Sequence, residues 1–409
     1  MSDNNNVSTK KQDINDDNQQ YSSEVKYISL NEVSNLEGSK ISISKIKLED
    51  YISTENMVSD LGRVKLATNM PNNGNINIYK KGDILISNIR PYLKKIWYAT
   101  KNGGCSSDVL ILRPNSKIYP KYLFYVLSSN KFFNYMMKTS KGTKMPRGDK
   151  KSIMRFKVPF IEMKKQKKYT FLLSRIDNKI DLLEKKKEIK LKIKEYYIQQ
   201  IFLEDWDNKI KFYDYKPLNE ITFYQEGPGV RNYQYTNKGV KLLNVGNFVK
   251  NKLILENTDR YISKEEAYGK YKHFLVDEGD LLIACSGIKA EYFNEKIAFA
   301  EKKDLPLCMN TSTMRFKSLD DNYLNLNYLK WYFQTPLFKK EIFRILTGSA
   351  QFNFGPTHLK YLKILIPPLD YQIKIGNFMD LIKENIDYID IKIKLMKQFK
   401  KGLLQKMFV

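Results

Sequence analysis

Two long stretches of the sequence place apolar residues at steps of three and four, which is the spacing of one face of an α-helix. They run over Gln166–Phe202 and Gln372–Phe408, at a constant offset of 206 residues. The pattern predicts a continuous helix over each stretch, roughly 55 Å long at about 1.5 Å per residue. It also predicts a heptad seam through which two helices pack along each other. The predicted seam positions are Leu172, Ile176, Ile180, Leu183, Ile189, Ile193 and Tyr196 in the first helix, and Ile375, Phe378, Ile382, Ile386, Ile389, Ile393, Met396, Leu403 and Met407 in the second.

Shorter patterns repeat in the same order before each long helix. "GDILIS" from Gly82 and "GDLLIA" from Gly279 are turns that lead into buried strands. Helix-like runs follow from Pro120 and from Leu326, and each leads into a glycine-containing loop, "TSKGTKMPRGDKKS" or "TGSAQFNFGPTHLK". The chain is therefore an internal repeat: globular unit, long helix, globular unit, long helix.

We predict an α+β fold. Two similar mixed α/β domains are separated by two long helices that pack as an antiparallel coiled coil. A polar N-terminal tail precedes them, and its composition predicts disorder. The predicted bounds are 1–23 for the tail, 24–160 for the first domain, 161–212 for the central helix, 213–366 for the second domain and 367–409 for the C-terminal helix.

The net charge of +25 indicates a polyanionic partner, either nucleic acid or an anionic membrane. The two predicted helices carry less than half of this excess, so most of it belongs to the globular domains. A DNA reader needs its cations there, whereas a membrane-surface helix would concentrate them on itself. No stretch reaches the roughly 18 apolar residues of a membrane helix, and the N-terminus does not resemble a signal peptide, so we expect a cytoplasmic protein.

Few residues are suited to metal or redox chemistry. Cys105, Cys285 and Cys308 have no close spacing, which favours small buried residues in a reducing compartment. The only histidines, His273 and His358, are expected to be structural or surface residues. We predict no metal site and no cofactor in this chain.

Familiar catalytic motifs are missing from the sequence. "GTKMPRGDKKS" does not fit a phosphate-binding loop, and "QEGPGVRN" lacks the third glycine of a dinucleotide-binding turn. Pro367-Pro368 lies in "ILIPPLD", which is not the acidic Pro-Pro motif of amino-methyltransferases. The chain is therefore predicted to bind and to organise partners rather than to catalyse.

In its twofold order the chain resembles the specificity subunit of type I restriction–modification systems, over nearly the whole length after the tail. The residues that carry the resemblance are the duplicated helices, the strand ends "KVPF" and "LIPPL" before them, and the runs "KKGDILISNIRPYLKKIWYA", "GGCSSDVLILRP" and "GTKMPRGDKKSIMRFKVP". Two features depart from the family pattern, namely the polar tail and the loop "GSAQFNF", which lacks the basic residues of the first loop.

This resemblance implies a role in bacterial defence as a non-catalytic DNA-recognition subunit. Two target-recognition domains would each read one half of a bipartite, asymmetric site in double-stranded DNA. The helices would set the spacing and dock two methyltransferase subunits, which would bind S-adenosylmethionine and methylate adenine. Two restriction subunits, which use ATP and Mg²⁺, are possible further partners.

Reading of bases requires Arg or Lys for guanine, and Asn or Gln for adenine. The two glycine-containing loops offer such groups, and their glycines allow close approach to a duplex. Further polar residues follow the strands "DILIS" and "DLLIA". For any one of these residues, the alternative is an ordinary polar surface position. The predicted DNA-binding residues are Asn88, Arg90, Lys141, Gly142, Thr143, Lys144, Arg147, Arg231, Ser286, Lys289, Gly348, Ser349, Gln351 and Asn353.

Two other functions remain open from the sequence. One is a self-contained DNA-modifying or DNA-cleaving enzyme with a poorly marked active site. The other is a coiled-coil interaction protein without a nucleic-acid role.

Overall fold

A computed structural model describes residues 25–202, 214–345 and 353–408, apart from the side chains of residues 290, 291 and 345. The predicted tail, 1–23, lies outside the described residues, as does the segment after the first long helix.

The contacts of the chain divide it into two compact units. Unit 1 consists of Met1–Leu182 and Lys392–Val409, and unit 2 of Leu183–Ile391. Each unit therefore contains one globular part and portions of both long helices. The domain bounds drawn from the sequence, which assign the helices to separate segments, stay predictions.

Four antiparallel strands form the main sheet of unit 1. In spatial order they are β2 (Ser34–Glu37), β11 (Val109–Pro114), β8 (Ile84–Ser87) and β9 (Ile96–Tyr98). Every residue of β8 is buried, because other elements cover both faces of the sheet. Side chains alternate between the faces, so Ile84 and Ile86 pack against helices while Leu85 packs against a second sheet.

The helices on one face of this sheet are α1 (Leu30–Val33), α2 (Pro120–Leu127), α3 (Asn130–Lys138) and α4 (Lys150–Met154). The second sheet has the order β3 (Lys40–Ser42), β7 (Asn75–Tyr79), β10 (Gly103–Cys105) and β4 (Tyr51–Ile52), with β10 and β4 parallel. Two antiparallel pairs complete unit 1, β1 (Lys26–Ser29) with β12 (Lys157–Phe160), and β5 (Met57–Val58) with β6 (Arg63–Val64).

Unit 2 repeats this arrangement. Its main antiparallel sheet has the order β14 (Thr222–Glu226), β22 (Thr313–Ser318), β19 (Leu281–Ala284) and β20 (Ile297–Phe299). The smaller sheet has the order β18 (Tyr261–Ile262), β15 (Val240–Leu243) and β21 (Leu307–Met309), with β15 and β21 parallel. The pairs are β13 (Asp214–Pro217) with β23 (Lys363–Ile366), and β16 (Phe248–Val249) with β17 (Lys252–Leu253). The short helices are α6 (Leu218–Ile221), α7 (Lys264–Tyr268), α8 (Leu326–Tyr332), α9 (Pro336–Ile345) and α10 (Pro356–Leu359).

The two long helices are α5 (Met163–Phe202) and α11 (Leu369–Phe408), and each begins three residues before its predicted start. In unit 2, Lys187 pairs with Asp390 at 2.7 Å, while the rings of Tyr197 and Phe378 meet at 4.8 Å. Residue numbers thus rise along one helix as they fall along the other, so the helices are antiparallel. These contacts are consistent with the predicted coiled coil. Among the helices that the structure describes, none combines the length and apolar content needed to cross a bilayer.

The predicted seam is only partly correct. Ile176, Ile180 and Leu183 are buried on α5, as are Ile382, Ile386, Ile389 and Ile393 on α11. The prediction is wrong for Leu172, Ile189 and Tyr196, which are 43%, 58% and 55% exposed. The neighbour Leu173 is fully buried instead and continues the buried row of Ile176, Ile180 and Leu183. Both leucines lie at helical spacing from Ile176, three and four residues before it, so periodicity does not distinguish them.

A buried glutamine anchors the start of each long helix. The Gln166 carboxamide donates to the Ile161 carbonyl and accepts from the Tyr119 N–H, both at 2.8 Å. Gln372 repeats this arrangement 206 residues later, since it donates to Pro367 O at 2.8 Å and accepts from the Asn325 N–H at 2.9 Å. Because buried polar groups are costly without partners, these bonds fix how each helix follows its preceding strand.

We expect Gln166→Ala to destabilise the protein by about 1–3 kcal/mol, because the substitution leaves the partly buried Tyr119 N–H without a partner. The measurement is the free energy of unfolding from urea titration followed by circular dichroism. Gln199→Ala, at an exposed position on the same helix, is the matched control and should change stability by less than about 0.5 kcal/mol. Equal effects of the two substitutions would contradict the anchoring role.

Candidate nucleic-acid interface

In unit 1 the structure brings together two segments that the sequence marked separately. Asn88 and Arg90 follow the end of β8, at the sheet edge where β11 begins. The Gly148 N–H donates to Asn88 O at 3.0 Å, and the Arg90 N–H donates to Pro146 O at 2.9 Å. The segment after β8 and the glycine-containing loop therefore form one surface.

The loop itself is closed by a pair of backbone hydrogen bonds. Lys141 and Arg147 each donate an N–H to the other's carbonyl, both at 2.9 Å. Gly142 has a φ of +87°, a conformation that suits glycine. The side chains of Lys141, Thr143, Lys144 and Arg147 are exposed. Four predicted DNA-binding side chains thus project from one small loop, which the two backbone hydrogen bonds close.

Positive charge gathers on this surface. The Arg147 guanidinium is 58% exposed and lies 3.1 Å from Asp108, while Lys141 is 83% exposed and lies 3.5 Å from Asp149. Burial lowers the pKa of Lys95, and the nearby Arg90 charge lowers it further. Exposed ion pairs of this kind are weak, so Arg147 and Lys141 can exchange their carboxylates for phosphates or base edges at little cost.

Asn88 and Arg90 differ in the exposure of their side chains. The side-chain oxygen of Asn88 is buried, and a Cβ at Gly148 would lie 2.9 Å from it, so a larger residue at position 148 would have to displace the Asn88 side chain. Asn88 therefore supports the surface chiefly through its backbone. Arg90 is exposed and adopts a left-handed backbone with φ of 50°, which is uncommon for a residue other than glycine. Such strained positions are often found at functional sites.

Unit 2 has the same connection at the same sheet edge. The Phe354 N–H donates to Cys285 O at 2.9 Å, at positions offset by 206 and 197 residues from Gly148 and Asn88. The Asn353 carboxamide oxygen accepts from the Ser286 hydroxyl at 2.9 Å and from the Gly287 N–H at 2.8 Å. The structure thus unites Ser286 and Asn353, both predicted from the sequence.

The other predicted residues of unit 2 are more scattered. Lys289 is exposed just beyond this connection. Arg231 is exposed on the loop that follows β14, and no described contact joins it to Asn353. Gly348, Ser349 and Gln351 lie outside the described residues.

Sequence reasoning missed two acidic residues at these edges. Asp108 immediately precedes β11 and pairs with Arg147, and the only signal for it was its position at a strand start. Glu226 ends β14 and accepts a 3.3 Å hydrogen bond from the Thr311 hydroxyl. Burial raises the pKa of Glu226 from its ordinary value, and Thr311 and His358 oppose that shift.

The cysteines and one histidine have structural surroundings. Cys105, Cys285 and Cys308 are buried as predicted, and burial raises the pKa of each thiol to about 12. They therefore stay protonated near neutral pH and are poor nucleophiles. His358 Nδ1 accepts the Gly355 N–H at 3.1 Å at the start of α10, which agrees with a structural role.

Comparison with known families identifies the class of protein. The model described as the type I restriction modification DNA specificity domain matches residues 22–192 and again residues 213–398. Two copies of one domain cover most of the chain, in agreement with the repeat of sheets and hydrogen bonds. The chain belongs to the family of type I restriction–modification DNA specificity subunits.

Individual relatives agree with this assignment. The MjaVIII specificity subunit of Methanocaldococcus jannaschii is 26% identical over 323 residues, which cover 74% of this chain and 72% of the relative. The MjaIX specificity subunit of the same organism is 22% identical over 355 residues, which cover 81% and 78%. Among solved structures, the type I S subunit from M. genitalium superposes with a TM-score of 0.61 at 15% identity, covering 95% of this chain and 98% of that one. The last likeness shows that the fold is shared.

We expect Asn353→Ala to release the segment after β19, because Gly287 loses its hydrogen-bond acceptor. Backbone amide exchange over residues 285–289, followed by mass spectrometry, should become about tenfold faster, as loss of one net hydrogen bond implies. Asn237→Ala is the matched control at an exposed position of the same unit. Unchanged exchange in Asn353→Ala would mean that the carboxamide does not hold this segment.

Proposed function

We propose that this chain is the DNA-recognition subunit of a type I restriction–modification complex, and that each unit reads one half of a bipartite DNA site. The observation that carries the proposal is the shared backbone hydrogen bond, Gly148 to Asn88 and Phe354 to Cys285. In both units it joins the loop before the last strand to the same edge of the main sheet. One frame thus supports two different sets of polar side chains, as two different half-sites require.

A self-contained enzyme has no support from the comparisons, because the matched family consists of specificity subunits. In our proposal catalysis belongs to partner subunits. Methyltransferase subunits supply S-adenosylmethionine and methylate adenine, and restriction subunits, where present, use ATP and Mg²⁺. The complex works in the cytoplasm. In our proposal the length of α5 and α11, which each contribute to both units, sets the spacer between the half-sites.

Matched apolar residues on the two long helices support docking of two copies of one partner. Leu182 and Ile189 on α5 are 63% and 58% exposed, and they lie seven residues apart on one helix face. Tyr388 and Leu395, 206 residues later on α11, are 57% and 56% exposed. Exposed large apolar side chains in a row mark an interaction surface. Because the same surface occurs twice, the proposed stoichiometry is two methyltransferase subunits for each chain.

We expect Leu182→Asp to remove one methyltransferase subunit from the co-purified complex and Tyr388→Asp to remove the other, because each buries a charge in one docking surface. The double variant should bind neither, and native mass spectrometry gives the count. Gln199→Glu, an equal change of charge at an exposed position on a different face of α5 from Leu182 and Ile189, is the control. If either single variant lost both subunits, or each kept both, the two-surface proposal would be wrong.

DNA reading is tested by expressing the chain with its methyltransferase subunit and mapping methylated adenines across a genome. We expect one motif with two specified halves and an unspecified spacer. Arg147→Ala should alter or weaken recognition of one half only, with a loss of about tenfold or more in affinity. Arg155→Ala removes the same charge from an exposed position of unit 1 and should preserve the motif. An equal change of both halves in Arg147→Ala would contradict its role.

A further inference from the structure

The loop that follows β14 in unit 2 carries an unusually exposed aromatic ring. Tyr233 is 86% exposed, more than any other large apolar side chain of the described residues. Arg231 and Asn232, which precede it, are exposed too. Exposure of a large ring is unfavourable in water, and a partner that covers the ring recovers that free energy.

The base of this loop is held in place. Gln234 accepts the Arg231 N–H at 2.9 Å, and its own amide group donates to Glu266 at 2.6 Å and to the Tyr271 hydroxyl at 3.0 Å. The Arg260 guanidinium lies over the Tyr235 ring at 5.4 Å. A ring presented on such a base loses little conformational freedom when it binds, which favours affinity.

The start of the loop is fixed at the sheet edge already described. A Cβ at Gly227 would lie 2.4 Å from the Asn310 carbonyl oxygen, so the backbone can pass there only as glycine. Asn310 and Thr311 lie just before β22, the strand between β14 and β19. The loop therefore begins at the same edge as the Ser286–Asn353 connection, two strands away.

The three exposed side chains have the chemistry of DNA readers. An arginine fits guanine, an asparagine fits adenine, and a tyrosine ring packs against sugars, bases or the thymine methyl group. The Arg260 and Lys270 side chains, which lie over the rings of Tyr235 and Tyr271, add positive charge that outnumbers the Glu266 carboxylate bound by Gln234. That charge favours a polyanionic duplex over an apolar protein surface as the partner.

We propose that Arg231, Asn232 and Tyr233 form a reading tip that enters a groove of double-stranded DNA and specifies bases in the half-site of unit 2. This assignment rests on the DNA-recognition function proposed above and adds residues that determine its specificity. Tyr233 supplies the packing surface, and Asn232 and Arg231 supply the hydrogen bonds to base edges.

The experiment uses the complex with its methyltransferase subunits and compares the wild type with Tyr233→Ala, Asn232→Ala and Tyr233→Phe. Binding to a duplex carrying the mapped site is measured by titration, and methylated adenines are mapped genome-wide. We expect Tyr233→Ala and Asn232→Ala to weaken binding by about tenfold or more and to relax one half of the motif. Tyr233→Phe keeps the ring and should bind within about threefold of the wild type. Tyr215→Ala, which removes a half-exposed ring from β13, is the matched control and should leave both measurements unchanged.

Other outcomes distinguish the reading tip from the DNA-recognition function proposed above. If the wild-type complex methylates a bipartite site and both alanine variants preserve its motif and affinity, the reading tip is refuted while DNA recognition stands. If Tyr233→Ala instead releases a methyltransferase subunit in native mass spectrometry, the ring is a protein contact and the proposal is wrong. Absence of any specific site for the wild-type complex would refute the recognition function itself.

Discussion

The rest of the architecture depends on two buried carboxamides. Gln166 and Gln372 each bond a carbonyl of the preceding segment and an amide at the start of a nearby helix, so each long helix can leave its last strand in only one direction. A misdirected helix would leave these polar groups buried without partners. The surfaces that we propose for partner docking lie on these helices, so their position depends on the two glutamines.

Each unit combines a framework that is the same in both units with loops at one edge of the main sheet that differ between them. The frame includes the Asp83–Arg113 and Asp280–Arg315 pairs, whose carboxylates are buried and follow corresponding turns in the two units. The edge holds loops that share a backbone hydrogen bond and differ in their described side chains. Arg147 and Lys141 supply cations on the first loop, whereas the Ser286 hydroxyl and the Asn353 amide meet at the corresponding connection of the second unit. A fixed frame with variable loops is how recognition proteins acquire new specificity without refolding.

The sequence predicted the repeat and both long helices because periodicity and self-similarity are local properties of a chain. It predicted less about which helix face is buried. Leu172 and Leu173 are both leucines, and only the packing around them makes one exposed and the other buried. The sequence also did not reveal contacts between segments that lie far apart along the chain. That Arg90 lies beside the loop of Arg147 follows from the sheet. Tyr233 gave no signal because the sequence does not distinguish an exposed tyrosine from the many buried ones.

The unlike loops of the two units have a consequence for how such a complex meets its target. A reader made of two identical halves cannot tell one strand of a duplex from the other. Under the proposed function, the chemical difference between the Arg147 loop and the Asn353 connection removes that ambiguity, so the two ends of the bound site are distinguishable. In the proposed complex, a partner subunit that docks beside one unit therefore has a defined direction along the double helix, even when both docked partners are identical copies.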